Sequence, residues 1–297
     1  MKVLVADPLD AAGVILLEQA AQVDVKPGLS EAELVEIIGE YDGLIVRSGV
    51  KVTRPIIEAA DNLKIIGRAG VGVDNIDVPA ATEKGIIVVN SPAGNTIAAT
   101  EHSFALILAM ARKIPMAYMS MKEGKWERGK FKGVELYKKT LGLVGLGRIG
   151  MGMARRAQEF VMKVVAYDPY VDADYAAEAG IELVDTPEEL FEKADFISLH
   201  APATDKTKGM VNTALLSHAR PNLRLVNCAR GALVDLDDLN QALEEGKLAA
   251  AALDVYPSEP PDFNHPIFAS DKVIVTPHLG ADRKSTRLNY SHRIRSR

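Results

Sequence analysis

Cysteine is nearly absent. The one thiol among 297 residues, Cys228, cannot close a disulfide framework within the chain, so a reducing, cytoplasmic setting is expected. Cysteine and histidine nowhere recur at zinc-site spacing, and no metal is expected. No apolar run reaches the ~18 residues that cross a bilayer, so no membrane partner is expected. Met1-Lys2 leads directly into the strand-like Val3-Leu4-Val5-Ala6, without the pattern of a secretory leader. Basic charge is scarce outside one place. Residues 283–297 hold six arginines and lysines and no acid, so the other 282 residues carry −11 of a net −5. A body this acidic repels phosphate backbones, and no nucleic-acid partner is expected.

Apolar residues make up 47% of the chain, ample for a packed core and enough length for about two domains. Short β-rich runs alternate with helical patterns in the first 95 residues. Strands are predicted at Val3–Ala6, Leu44–Val46, Lys64–Gly67 and Ile86–Val89, and helices at Ala11–Ala20, Glu31–Gly39, Arg54–Ala60 and Val78–Lys84. Ser30 with Glu33 forms a capping box, and Thr53 with Pro55 marks another helix start. Such alternation predicts a parallel sheet covered by helices, with ligand loops at the carboxyl ends of the strands. Those loops carry Arg47-Ser48-Gly49, Arg68-Ala69-Gly70-Val71-Gly72 and Asn90 to Asn95; their arginines and glycines suit a small anion, although each loop alone also reads as a solvated turn. One long helix is expected from Thr96 to about Met121. Its segment Phe104–Met110 is apolar nearly all round, which suits a core position or a subunit interface.

The most informative stretch is Leu141–Gly150. An apolar strand runs into Gly145-x-Gly147-x-x-Gly150, a helix follows, and a second strand, Val164–Tyr167, ends at Asp168. This is the order of a dinucleotide-binding unit. Gly145 permits the tight turn, Gly147 lets backbone N–H groups approach a pyrophosphate, and Gly150 lets the helix pack on the strand. The helix start at Arg148 and Ile149 offers partial positive charge to phosphate. Asp168 lies 18 residues past Gly150, close to the ~20 expected for an acid that binds a ribose 2′-hydroxyl and repels a 2′-phosphate. NAD is therefore expected over NADP. Further strands are predicted at Ile181–Val184, Phe196–Leu199, Arg224–Asn227, Ala250–Asp254 and Val273–Val275, with helices at Pro187–Lys193, Thr213–Ser217 and Leu236–Glu245, giving six or seven strands.

Three of these strands end in groups suited to alcohol–ketone chemistry: Asn227-Cys228-Ala229-Arg230-Gly231, Asp254 through Glu259 to Pro261, and Thr276-Pro277-His278-Leu279-Gly280. A guanidinium grips a carboxylate by paired bonds. A histidine takes a hydroxyl proton as hydride leaves carbon. A carboxylate on the other ring nitrogen fixes the tautomer and stabilises the imidazolium. Taken singly, each has a plain structural reading: Arg230 as a surface ion pair, Glu259 as a solvated turn, Cys228 as a small buried residue. Their joint placement downstream of a nucleotide fingerprint points to chemistry. His102, His200, His218, His265 and His292 lack this company and read as structural.

The segments Gly67–Asn75, Leu143–Gly150, Asn227–Gly231, Asp254–Pro260 and Thr276–Gly280 together resemble the D-2-hydroxyacid dehydrogenase family, over about residues 1–282. Within it, the likeness is greatest to members that oxidise 3-phosphoglycerate, a phosphorylated 2-hydroxy acid. The resemblance implies two doubly wound parallel-sheet α/β domains. A flavodoxin-like substrate domain would cover 1–95 and a Rossmann NAD domain 96–282. It implies Arg230 as carboxylate binder, Glu259 as histidine partner and His278 as acid/base. It also implies NAD contacts at Gly145, Gly147, Arg148, Ile149, Gly150, Asp168, Ala201, Cys228, Ala229, Asp254 and Gly280. Arg47, Ser48, Gly70, Val71 and Asn95 would face the substrate, and two copies would pair through the nucleotide domain. Other 2-hydroxy or 2-keto acids such as glycerate or glyoxylate fit the same triad, and relatives of this fold also serve as NAD-sensing transcriptional corepressors. Two features depart from the family. Lys138 stands where glycine is usual, and the basic stretch 283–297 lacks the family's continuing helix. That stretch is expected to be disordered and foreign to the family, the product of truncation.

Overall fold

The computed structural model describes residues 1–280, so the expected disorder of the basic stretch 283–297 lies outside the described residues. The chain divides into two compact units, one of Met1–Asn95 and one beginning at Thr96.

In the first unit, five strands (β1 Lys2–Val5, β2 Gln22–Val25, β3 Gly43–Val46, β4 Ile65–Arg68, β5 Ile87–Asn90) form one parallel sheet in the order β2-β1-β3-β4-β5. This is the flavodoxin-like order, with its switch point between β1 and β3. Helices α1 (Ala11–Glu18), α2 (Glu31–Ile37), α3 (Arg54–Ala59) and α4 (Val78–Glu83) connect the strands. The Ser30–Glu33 capping box forms as expected. At Thr53 the proline opens α3, but the threonine hydroxyl donates to Glu31 instead of capping the helix. Leu4, Leu44, Ile56, Ile57 and Ile66 fill the core around the fully buried Tyr41. β2 was not expected: none of its residues is buried and its sequence, Gln22-Val23-Asp24-Val25, holds no apolar run to announce it.

The second unit starts with two helices, α5 (Thr96–Ala111) and α6 (Ile114–Lys122), where one was expected. Lys113 adopts φ 53 just before Pro115, and the helix axis turns by 64°. Pro115 lacks the N–H of a continuing helix and its ring clashes with the preceding turn, so the break has a local cause. A parallel seven-stranded sheet follows: β6 (Thr140–Val144), β7 (Lys163–Tyr167), β8 (Glu182–Leu183), β9 (Phe196–Leu199), β10 (Arg224–Asn227), β11 (Ala250–Leu253) and β12 (Val273–Val275). Its order is β12-β11-β10-β9-β6-β7-β8. Read from β8, this is the nucleotide-binding order with one strand added, and the switch point lies between β6 and β9. Helices α7 (Arg148–Glu159), α8 (Ala173–Glu178), α9 (Pro187–Lys193), α10 (Thr213–Leu216) and α11 (Leu236–Glu244) complete the unit; α8 was not anticipated. One apolar cluster, with Leu190, Phe191, Leu239 and Leu243, packs on one face of the sheet. A second, with Phe104, Ile107, Met153 and Ala157, packs α5 and α7 on the other. Among the described residues no single helix is long and apolar enough to cross a membrane.

Candidate active site

The fingerprint turn joins β6 to α7 at the switch point. Gly145 adopts φ 95, and a Cβ there would stand 2.9 Å from the His200 carbonyl group. A Cβ on Gly150 would collide with the Gly145 carbonyl oxygen. Both positions therefore require glycine. Gly147 caps α7 without a side chain, and among the described residues nothing occupies the space where its Cβ would be. Gly147 makes no side-chain hydrogen bond to the first turn of α7, the arrangement that leaves a helix start open to phosphate. Arg148 is exposed, Ile149 half-buried and Ala201, after β9, half-buried. Asp168 ends β7. One of its carboxylate oxygens accepts the Leu146 N–H at 2.8 Å and the other the Tyr170 N–H at 3.0 Å. The acid is fixed by the glycine turn itself. These residues fit a dinucleotide.

Three later loops converge at the same edge of the sheet. After β10, the buried Asn227 accepts the Ala229 N–H at 3.0 Å and donates to the Arg230 carbonyl at 2.9 Å, shaping the turn that presents Arg230. The Arg230 guanidinium donates to the Ala229 carbonyl at 2.7 Å. A Cβ on Gly231 would collide with the Tyr256 carbonyl, so the loops after β10 and β11 are in contact. The Tyr256 hydroxyl donates to the carbonyls of Leu253 and Thr276, both at 3.1 Å, tying the loop after β11 to the one after β12. Burial pushes that phenol up to about 12.

His278 and Glu259 meet directly: Nδ1 lies 2.7 Å from Oε2. The other Glu259 oxygen accepts the Tyr256 N–H at 3.2 Å, which anchors the carboxylate. A carboxylate can only accept, so Nδ1 carries the proton and Nε2 is left as a base. His278 adopts φ 54, a left-handed conformation that costs about 1–3 kcal/mol unless neighbours impose it. Here they do. Its N–H donates to the Asp254 carbonyl at 2.9 Å, and the N–H groups of Leu279 and Gly280 donate to the Asp254 carboxylate at 2.8 Å each.

Two histidines set aside on sequence grounds prove to have special surroundings. His102, on α5, places Nε2 3.1 Å from Asp254 Oδ1 and 3.3 Å from Thr276 Oγ1. Its sequence signal was the polar run Thr100-Glu101-His102-Ser103, which interrupts the apolar sequence of α5. His200, at the switch point, has Nε2 enclosed with no hydrogen-bond partner among the described residues, and burial pushes its pKa down to about 4. Cys228 is held as a thiol, pushed up to about 12 by burial against a lowering hydrogen bond from Ser103. His102, Cys228 and Asp254 each offer one ligand atom within 4.8 Å of one another. However, Asp254 Oδ1 is already occupied by the Thr276 hydroxyl and the Leu279 N–H, so the group is satisfied by hydrogen bonds as it stands.

The first unit has its own clamped loop at its switch point. The buried Asp7 accepts the Arg47 N–H at 2.6 Å and the Val50 N–H at 3.1 Å. From the other side, Asn75 donates to the Arg47 and Val50 carbonyls at 2.7 and 2.6 Å. Arg47 and Ser48 are thereby held at the end of β3. Gly70 and Val71 follow β4, and the Arg68 guanidinium occupies the space a Gly70 side chain would need. The side-chain oxygen of Asn95 is enclosed without a partner among the described residues.

Residues 104–280 match the NAD binding domain of D-isomer specific 2-hydroxyacid dehydrogenases, and residues 3–168 match the catalytic domain of the same family. D-3-phosphoglycerate dehydrogenase from Synechocystis sp. is 52% identical over 288 residues, covering 97% of this chain and 52% of that protein. The human protein of the same name is 46% identical over 284 residues, covering 95% and 53%. The chain spans about half the length of the curated relatives it matches. Among solved structures, D-lactate dehydrogenase from Aquifex aeolicus, complexed with NAD and lactic acid, aligns with a TM-score of 0.89 at 27% identity, over 99% of this chain and 93% of that one. With a glycine turn built for a dinucleotide, a histidine–glutamate pair at the same sheet edge and both family domains matched, the chain belongs to the D-isomer specific 2-hydroxyacid dehydrogenase family.

Proposed function

We propose that this chain carries out the NAD-dependent oxidation of 3-phospho-D-glycerate to 3-phosphohydroxypyruvate. The carrying observation is the 2.7 Å pair of His278 and Glu259 beside the Arg230 loop. The identity of about half to D-3-phosphoglycerate dehydrogenases supports the choice of substrate. The Arg230 guanidinium holds the substrate carboxylate through paired hydrogen bonds. His278 Nε2 takes the proton of the C2 hydroxyl, and the imidazolium so formed is stabilised by Glu259. Bound NAD+ supplies the acceptor for the hydride that leaves C2. Gly145, Gly147, Gly150 and the start of α7 hold the pyrophosphate, and Asp168 holds the adenosine ribose. Ala201, Cys228, Ala229, Asp254 and Gly280 would complete the residues that hold NAD. The Arg47–Ser48 loop, Gly70, Val71 and Asn95 contribute to substrate binding.

We further propose a cytoplasmic homodimer. The single unpaired cysteine suits a reducing compartment. The exposed apolar side chains Ile114, Tyr118, Met119, Met121 and Trp126 make a surface that a second copy would cover; a monomeric mass in sedimentation equilibrium would contradict this. The substrate reading is tested by a panel of 3-phosphoglycerate, glycerate, lactate and the reductive reaction of glyoxylate, each with NAD and NADP. Fastest turnover of 3-phosphoglycerate with NAD is expected. Preference for an unphosphorylated acid would overturn the substrate, and preference for NADP would overturn the role of Asp168.

A further inference from the structure

Asp254 is fully buried, and a buried carboxylate is tolerated only when its oxygens are hydrogen-bonded. On Oδ1 it accepts the Thr276 hydroxyl at 2.6 Å, the Leu279 N–H at 2.8 Å and His102 Nε2 at 3.1 Å; on Oδ2 it accepts the Gly280 N–H at 2.8 Å. Burial raises the Asp254 carboxyl, yet the bonds from His102, Thr276, Leu279 and Gly280 outweigh it and hold the group below its usual value. The ionised carboxylate can only accept, so His102 Nε2 carries a proton and donates it. Three of these four donors belong to the 276–280 loop itself. His102 alone among them comes from a different element, α5, whose Ala99 also backs Gly280. The loop grips Asp254, and α5 fixes where Asp254 points.

Leu279 and Gly280 follow His278 directly, and His278 sits in a left-handed conformation that this grip imposes. We propose that His102 is a positioning residue for the acid/base. Through Asp254 it fixes the backbone of the 276–280 loop, and with it the aim of the His278 imidazole. This rests on the reaction proposed above.

His102→Leu removes the donor, while His102→Gln keeps an N–H on a side chain of similar reach; His102→Ala, which also lacks a donor, replaces the leucine variant should that not fold. With 3-phosphoglycerate and NAD, His102→Leu is expected to lower kcat about tenfold to a hundredfold, the equivalent of one hydrogen bond to a charged group, with KM for NAD little changed. His102→Gln is expected to recover most of that loss. Amide hydrogen exchange at Leu279 and Gly280 is expected to accelerate in His102→Leu and not in His102→Gln. Wild-type kcat in the leucine variant, or equal losses in both variants, would overturn the proposal. If the wild type oxidises no 2-hydroxy acid, the functional reading fails separately and exchange decides. Unchanged protection in His102→Leu then refutes the positioning role, and lost protection with glutamine rescue sustains it.

Discussion

At His278 the Glu259 carboxylate decides the tautomer, and so which ring nitrogen can take a proton. His102 faces a carboxylate too, but one that is buried and already gripping a loop, so its ring serves to orient. At His200 the enclosed Nε2 has no partner among the described residues, and burial makes the neutral ring the stable one. That difference has a measurable consequence. The folded-state pKa of His200, about 4, lies below the ordinary 6.5. Its contribution to stability is therefore complete above pH 6.5 and is lost as pH falls toward 4. Unfolding midpoints measured across that window are expected to fall less steeply for His200→Asn than for the wild type; parallel curves would show that the ring is not buried neutral. Arg230, Glu259 and His278 were legible in the sequence because each stands in a short motif at the end of a predicted strand. His102 was not, because Thr276, with which it shares Asp254, is 174 residues away and only the fold brings them together.

Among the elements, those buried on both sides read most clearly. β9 and β10, with Phe196, Ile197, Leu225 and Val226 fully buried, match their expected bounds residue for residue. β2 escaped because it is half exposed and holds Asp24, whose carboxylate accepts the Tyr41 hydroxyl at 2.8 Å. The helix break at Lys113 was written in Pro115 but masked by the apolar run before it. The turn before β6 explains another departure. Lys138 adopts φ 58, the conformation for which glycine carries no steric penalty, and its N–H donates to the Val161 carbonyl at 3.1 Å. Lys138→Gly removes that penalty but loosens the unfolded chain, leaving a net stabilisation of about 1 kcal/mol. A rise in the thermal midpoint of about 2–4 °C is expected for a domain this size. A fall would show that the lysine side chain, which lies over the Tyr137 ring, outweighs the backbone term.

At the scale of the whole molecule, two doubly wound sheets each hold a rigid loop at the switch point: Arg47–Val50 clamped by Asp7 and Asn75, and Gly145–Gly150 tied to Asp168. The parallel sheets follow from strands that alternate with helices and from right-handed connections, so the fold class was readable before any coordinate, while the strand orders came from the structure. The nucleotide fingerprint alone identifies a cofactor; the chemistry depends on the groups that β10, β11 and β12 carry to the same edge. The most direct test compares the wild type with His278→Gln for NADH formation from 3-phosphoglycerate, with NADH binding followed separately by fluorescence. The account predicts turnover by the wild type, a loss of about 10²–10⁴-fold in kcat for the variant, and equal NADH affinity in both. Near-normal turnover by His278→Gln would contradict it.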